Sequence, residues 1–180
     1  MPQFGQQCSI KLKVLSGKDA KYLQNFSCGN KEIDRYFRDK ALKDKTAVTY
    51  LYLDQNADAL IACITLSCSA IFTEEVDVRS TVLSAMEIKY LAVDKNYQHL
   101  PYYQGKKRPT LSDMIFDNMI WNMRRMSLKH IGASKIVLYS VKRAITFYER
   151  HGFKKFRLEM YGDQGDYVIS CCPMYFDLND

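Results

Sequence analysis

No run of apolar residues in this chain approaches the ~20 positions of a membrane span. The opening Met1-Pro2-Gln3-Phe4-Gly5 has neither the basic nor the apolar region of a signal peptide. A cytoplasmic location, away from membranes, is therefore the expectation. The six cysteines form no Cys-x-x-Cys pair, and the neighbours Cys171 and Cys172 would point to opposite faces of a strand. All six are expected to be reduced thiols, most of them packing residues. His99, His130 and His151 lack ligand spacing to one another or to the cysteines, so no metal site is expected. No repeat, low-complexity segment or linker divides the chain, and 180 residues suit a single domain over 1–180.

What is present is globular in composition. Hydrophobic residues make up 47% and charged residues 26%, which argues against disorder. The formal net charge of +6 lies in short basic runs: Lys106-Lys107-Arg108, Arg124-Arg125, Lys142-Arg143 and Lys154-Lys155-Arg157. Such runs suit solvated faces. They also suit a ligand rich in phosphate, whether a nucleotide or a nucleic acid.

Ile10 to Val14 alternates with period two and reads as a strand. Asn30 is placed to cap a helix from Lys31 to about Lys43, with Ile33, Phe37 and Ala41 on one face. Val48 to Leu53 and Ala59 to Leu66 read as strands joined by a polar turn at Asp54-Gln55-Asn56. Residues 69–84 fit a short strand or helix and a loop. Met86 to Val93 reads as a central strand, followed by a loop from Asp94 to Pro109. Thr110 caps a helix from Leu111 to about Leu128, with Leu111, Ile115, Met119 and Met123 sharing a face and Asp113 adding favourable charge at its start. A strand over Lys135 to Ser140, a helix at 142–151, and strands at about 153–159 and 167–176 complete the order. The expected fold is a mixed α/β (α+β) sheet with helices on both faces.

Within residues 143–156, a helix carrying Ala144, Phe147 and Tyr148 stops at Gly152, and a strand starts at Phe153. Glycine fits such a stop because it enters the left-handed conformation without steric cost. Tyr148 sits one turn before the stop and can project its hydroxyl from a rigid element into a bordering cleft; the plainer alternative is a core tyrosine beside Phe147. This segment resembles the last block of the GNAT (Gcn5-related N-acetyltransferase) superfamily, where a tyrosine at this place faces the sulfur of coenzyme A. Glu87-Ile88-Lys89-Tyr90-Leu91-Ala92-Val93-Asp94 likewise looks like the family's central strand. The resemblance implies a mostly antiparallel sheet whose central strand pair splays apart. Pantetheine would then lie in the gap between the strand ending at Val93 and the one ending near Ser140. It would take backbone hydrogen bonds from Leu91, Ala92 and Val93.

The family follows this strand with Gln/Arg-x-x-Gly-x-Gly/Ala, a turn whose amides hold the cofactor pyrophosphate at a helix N-terminus. Here Tyr97-Gln98 opens the turn at the expected distance, but the glycines do not follow. A second start, Tyr103-Gln104-Gly105-Lys106, comes six positions later and continues Lys107-Arg108-Pro109. An inserted segment of about that length is expected. The implied cofactor contacts are Gln98, Gly105, Lys106, Lys107, Arg108 and the amides near Thr110, Leu111 and Ser112. The alternative is a phosphate site that has decayed.

By the same resemblance, an amine attacks the acetyl thioester directly and Tyr148 protonates the departing thiolate. A phenol of pKa ~10 can serve a thiol of pKa ~8.5, and a positioned acid contributes ~10²–10⁴ in rate. Glu87 is the candidate base, or else a surface carboxylate. No stronger base stands out. At pH 7 a lysine amine is neutral in only ~0.04% of molecules, an α-amine in roughly 10%. A site without a strong base therefore leans toward α-amines.

Phe26-Ser27-Cys28-Gly29-Asn30, Tyr36-Phe37 and Ala41 look like the opening helix of the toxin-type clade of this superfamily. Ile61 to Ser67, His130-Ile131-Gly132-Ala133 and His151-Gly152-Phe153 match as well. Many members of that clade acetylate the α-amine of aminoacyl-tRNA. The implied partners are acetyl-CoA, an amine acceptor supplied by tRNA, an antitoxin protein and a second copy in a homodimer. Acetylation of a protein N-terminus, a lysine or a small amine remains open. So does a non-catalytic module that keeps the fold as a binding surface, which the missing Gly-x-Gly favours.

Overall fold

The computed structural model describes residues 9–75, 78–103, 105, 107–156 and 170–179. They form seven strands: β1 (Ile10–Val14), β2 (Ala47–Asp54), β3 (Ala59–Glu75), β4 (Val78–Val93), β5 (Lys135–Ser140), β6 (Lys154–Lys155) and β7 (Cys172–Asp177). The helices are α1 (Ala20–Gln24), α2 (Lys31–Asp39), α3 (Leu111–Met126) and α4 (Ile145–Arg150). The sheet order is β1-β2-β3-β4-β5-β7-β6. β1 with β2, β5 with β7 and β6 with β7 are antiparallel, whereas β4 and β5 are parallel. A parallel pair needs a long crossover, and α3 lies on it. This is the mixed, mostly antiparallel sheet expected from the sequence.

The chain divides into two compact units. The first comprises Met1–Leu66 and Tyr90–Ile120, the second Ser67–Lys89 and Trp121–Asp180. In the first, Phe26, Phe37, Leu51, Leu53, Cys63 and Ala92 share a core, with Tyr36 and Tyr90 stacked at a centroid distance of 4.1 Å. In the second, Ile71, Ala85 and Val137 pack with Leu83, Phe156 and Tyr175.

Local chemistry explains the boundaries. The Asn30 side chain accepts from the amides of Glu32 and Ile33, as a cap does. α2 ends at Asp39, short of the expected Lys43. The Asp44 carboxylate turns the chain there: it accepts from the Tyr36 hydroxyl at 2.8 Å and from the Thr46 amide and hydroxyl. α3 buries Leu111, Ile115, Met119 and Met123 as expected. It passes into a π-helical turn, Ser127–Ile131, which stops at left-handed Gly132. β3 and β4 run through most of the ambiguous 69–84 stretch, and α1 was not expected. The outer strands are shorter than the expected 153–159 and 167–176, whose inner portions fall outside the described residues.

Candidate active site

Two groups of predicted site residues are built separately, one in each unit. In the first, the end of β4 is tied to the segment preceding α2. The Gln98 side chain donates to the Val93 carbonyl at 2.8 Å and to the Cys28 carbonyl at 3.0 Å. The Asp94 carboxylate accepts from the Ser27 and Asn96 amides, and the Lys95 amide donates to the Ser27 carbonyl. Asp34 accepts from the Cys28 amide at 2.8 Å and the Ser27 hydroxyl at 2.9 Å. Burial works to raise the Asp34 carboxyl, but these hydrogen bonds and the Arg38 charge hold it below its ordinary value. Burial, followed by the Asp34 bond, pushes the Cys28 thiol up to about 11. Leu91 and Val93 are half-buried and Ala92 is buried.

The loop after β4 makes a closed excursion. Pro101 and Thr110 form an antiparallel bridge, the Tyr102 amide donates to the Pro109 carbonyl, and the Leu111 amide donates to the Leu100 carbonyl. Beyond that base, Tyr103, Gly105, Lys107 and Arg108 are exposed. Gly105 has a φ of +72°, where a side chain is strained. Lys106 and Gln104 lie outside the described residues. At the start of α3, the Asp113 carboxylate accepts from the Thr110 amide at 2.9 Å and its hydroxyl at 2.8 Å, while the Asp113 amide donates back to the hydroxyl. This reciprocal cap uses the Thr110 amide, as the Leu100 carbonyl uses that of Leu111. Two of the three amides expected to meet phosphate thus have partners within the chain. Ser112 is half-buried beside them.

In the second unit, β4 and β5 pair from Ala85↔Lys135 to Ile88↔Leu138, while β4 itself runs on to Val93. Glu87 lies within that register, half-buried, and accepts from the Ser67 hydroxyl at 2.8 Å. The hydroxyl belongs to the Thr65-Leu66-Ser67 ending already visible in the sequence, but its bond to Glu87 was not legible there. Tyr148 lies in the last turn of α4, ahead of the stop at Gly152, as expected. Its carbonyl accepts from the His151 and Phe153 amides, and the Gly152 amide donates to the Glu149 carbonyl. Gly152 has a φ of +86°, so this is a glycine stop of the Schellman type. The accompanying apolar contact is Tyr148 against Phe153, with centroids 5.9 Å apart. Tyr148 is 9% exposed and also meets Phe147 edge to face. Among the described residues no cluster of histidine, cysteine or carboxylate side chains could hold a metal ion.

No family model matches the sequence, and no curated relative matches it either. The fold is shared with solved structures. One, described as a bacterial toxin, is 14% identical with a TM-score of 0.72, covering 96% of this chain and 92% of its own. A second is the toxin AtaT, with one tyrosine changed to phenylalanine, bound to the C-terminus of the antitoxin AtaR and acetyl-CoA. It is 17% identical with a TM-score of 0.66 and 94% coverage of each chain. A third is AtaT complexed with acetyl-methionyl-tRNAfMet, 17% identical with a TM-score of 0.67, covering 95% of this chain and 96% of its own. At such identities the likeness is one of fold. The chain has the GNAT-like fold that these toxins share.

Proposed function

We propose that this protein is an acetyl-CoA-dependent N-acetyltransferase whose acceptor is the α-amine of an aminoacyl-tRNA. The backbone of Leu91 and Ala92 would line the pantetheine arm. Both lie near the end of β4, which runs to Val93. The Val93 carbonyl already holds Gln98, so Gln98 would brace the strand end rather than touch the cofactor. With the Thr110 and Leu111 amides engaged, phosphate binding would fall to Ser112, Gly105 and the exposed Lys107 and Arg108. Lys106 belongs to the same proposed set.

In the reaction, the amine nitrogen bonds to the acetyl carbon as the carbon–sulfur bond breaks. Glu87 is the proposed acceptor for the proton the amine loses, with one of its oxygens oriented by Ser67. The Tyr148 phenol gives a proton to the leaving sulfur, and solvent returns it. The observation that supports this reading is the glycine stop just after Tyr148. A glycine stop fixes the backbone at its own carbonyl, and Phe147 and Phe153 confine its ring. A proton donor must be positioned before it is useful.

The expected product, an N-acetyl aminoacyl-tRNA, matches in kind what one AtaT structure holds. Partners of the antitoxin kind are proposed on the same footing. The test is mass spectrometry of nuclease-digested tRNA after incubation with acetyl-CoA. Acetylated aminoacyl-adenosine should appear, and Tyr148→Phe should slow its formation by ~10²–10⁴. Acetylation confined to proteins or small amines would replace the acceptor but keep the enzyme.

The engaged helix-start amides favour one further reading, a non-catalytic binding module. Acetyl-CoA at 100 times its dissociation constant should stabilise an enzyme by ~2.7 kcal/mol. Absence of any thermal shift at millimolar ligand would establish the module instead.

A further inference from the structure

Phe176 on β7 lies against the stop that ends α4. A Cβ on Gly152 would meet two atoms of the Phe176 ring, at 3.2 and 3.6 Å, so the ring packs on the glycine backbone itself. Gly152 is thus needed twice, for its φ of +86° and for the room it leaves a ring. The Phe176 ring also meets that of Phe153 at a centroid distance of 5.4 Å. Phe153 is buried and in turn meets the Tyr148 ring at 5.9 Å, while its amide donates to the Tyr148 carbonyl. Phe176 therefore supports both the backbone stop after Tyr148 and the side chain that borders its phenol ring.

Phe176 is held in its turn. It pairs with Ile136 in the β5–β7 register, next to Lys135↔Asp177, whose side chains form an ion pair. The Arg124 guanidinium of α3 lies 5.1 Å from the centre of the Phe176 ring, within the range of a cation–π contact. Aromatic clusters are ordinary in protein interiors. This one ends at a phenol whose hydroxyl has to be aimed. The hydroxyl is the outermost atom of its ring, so a tilt displaces it most, and a misplacement of ~1 Å can cost ~10²-fold in rate. The geometry points to Phe176 as a positioning residue for Tyr148. Through Gly152 and Phe153 it sets the direction of the phenol, and the Arg124 cation holds the Phe176 ring. This inference rests on the proposed role of Tyr148 as the acid.

The test is a double-mutant cycle in the full chain, with acetyl transfer from acetyl-CoA to aminoacyl-tRNA followed well below the melting temperature of every variant. Phe176→Leu should lower kcat by about 10–100-fold and leave KM for acetyl-CoA within about twofold, because the aim of the donor matters as the carbon–sulfur bond breaks. Phe176→Tyr keeps the ring and should retain most of kcat. In a Tyr148→Phe background, Phe176→Leu should add little, since no hydroxyl is left to aim. An equal loss in both backgrounds would make Phe176 a packing residue only and overturn the proposal. A second readout needs no activity: NMR of protein labelled with ring-13C tyrosine, the Tyr148 signal being the one lost in Tyr148→Phe. Phe176→Leu should shift that signal, and an unmoved signal overturns the proposal. If the parent transfers no acetyl group, or Tyr148→Phe keeps the full rate, the proposed reaction or the acid role falls, and the NMR result alone decides whether Phe176 orients the ring. Circular dichroism melting checks folding. Should Phe176→Leu unfold, Arg124→Met takes its place in both measurements, with an expected loss in kcat of about 2–5-fold that Arg124→Lys restores.

Discussion

The Asp34 carboxylate accepts from the Cys28 amide and the Ser27 hydroxyl, while Asp94 accepts from the Ser27 amide. Two sequence segments that look like separate family signatures, Phe26 to Asn30 and Leu91 to Asp94, are therefore parts of one hydrogen-bonded clasp. The buried carboxylate of Asp34 has a folded pKa below its ordinary value of 3.8. A depressed pKa means that the ionised form stabilises the fold. That contribution is complete above the unfolded value and disappears as pH falls through the folded one. Asp34→Asn should cost about 1–3 kcal/mol at pH 7, where it removes charge-assisted bonds inside the protein. The gap to the parent should shrink as pH is lowered below 3.8, because the parent then loses the same charge. Urea denaturation at a series of pH values measures it; a gap that stays constant down to the acid limit would show that the charge of Asp34 does not matter. The sequence shows Cys28 as a packing thiol and Asn30 as a cap, since both follow from residue type and near neighbours. It does not show the clasp, because Ser27 and Asp94 meet only after the chain has folded.

Among the elements, α4 was the easiest to foresee, and its stop is the easiest to break. Gly152 has a φ of +86°, and a Cβ there would sit 3.2 Å from the Phe176 ring. Gly152→Ala should cost about 1–2 kcal/mol, from the left-handed backbone alone. In a chain of this length that lowers the melting temperature by a few degrees. The backbone stop also carries the Tyr148 carbonyl, so the variant should lose acetyl-transfer rate beyond any thermal effect when assayed well below its melting temperature. A full rate with a lowered melting point would separate the stop from the site. Helix starts were legible because caps are local: Asn30 and the Thr110–Asp113 pair act within three residues. The end of α2 was less so, since Asp44 decides it from beyond the helix. The length of β3 and β4 through 67–84 is set by pairing with neighbouring strands, so Ser67-Cys68-Ser69-Ala70 shows no strand pattern of its own. The loop after β4 was expected from sequence. Its closure by Pro101 and Thr110 was not, and neither was the engagement of the helix-start amides that follows from it.

At the scale of the whole molecule, the excess of positive charge separates the candidate acceptors. The net charge is +6, and one exposed basic pair, Lys142-Arg143, immediately precedes the helix that carries Tyr148. A small amine or a protein N-terminus has no need of such a surface, whereas a tRNA brings a line of phosphates. Each phosphate neutralised releases counterions, so affinity falls as a power of salt concentration. If about five phosphates are engaged, the slope of log affinity against log salt is roughly −4, a loss of about 10²–10³-fold between 50 and 200 mM. Acetyl-CoA offers fewer phosphates, and its affinity should change by less than about tenfold over that range. Lys142→Gln with Arg143→Gln should reduce the tRNA slope by about 1–2 and leave the acetyl-CoA thermal shift in place. Fluorescence anisotropy with labelled tRNA, read at four or more salt concentrations, measures the slope directly. A tRNA affinity as flat in salt as that for acetyl-CoA, or a slope unmoved by losing both cations, would remove the electrostatic support for an RNA acceptor and leave the small-amine and protein acceptors standing.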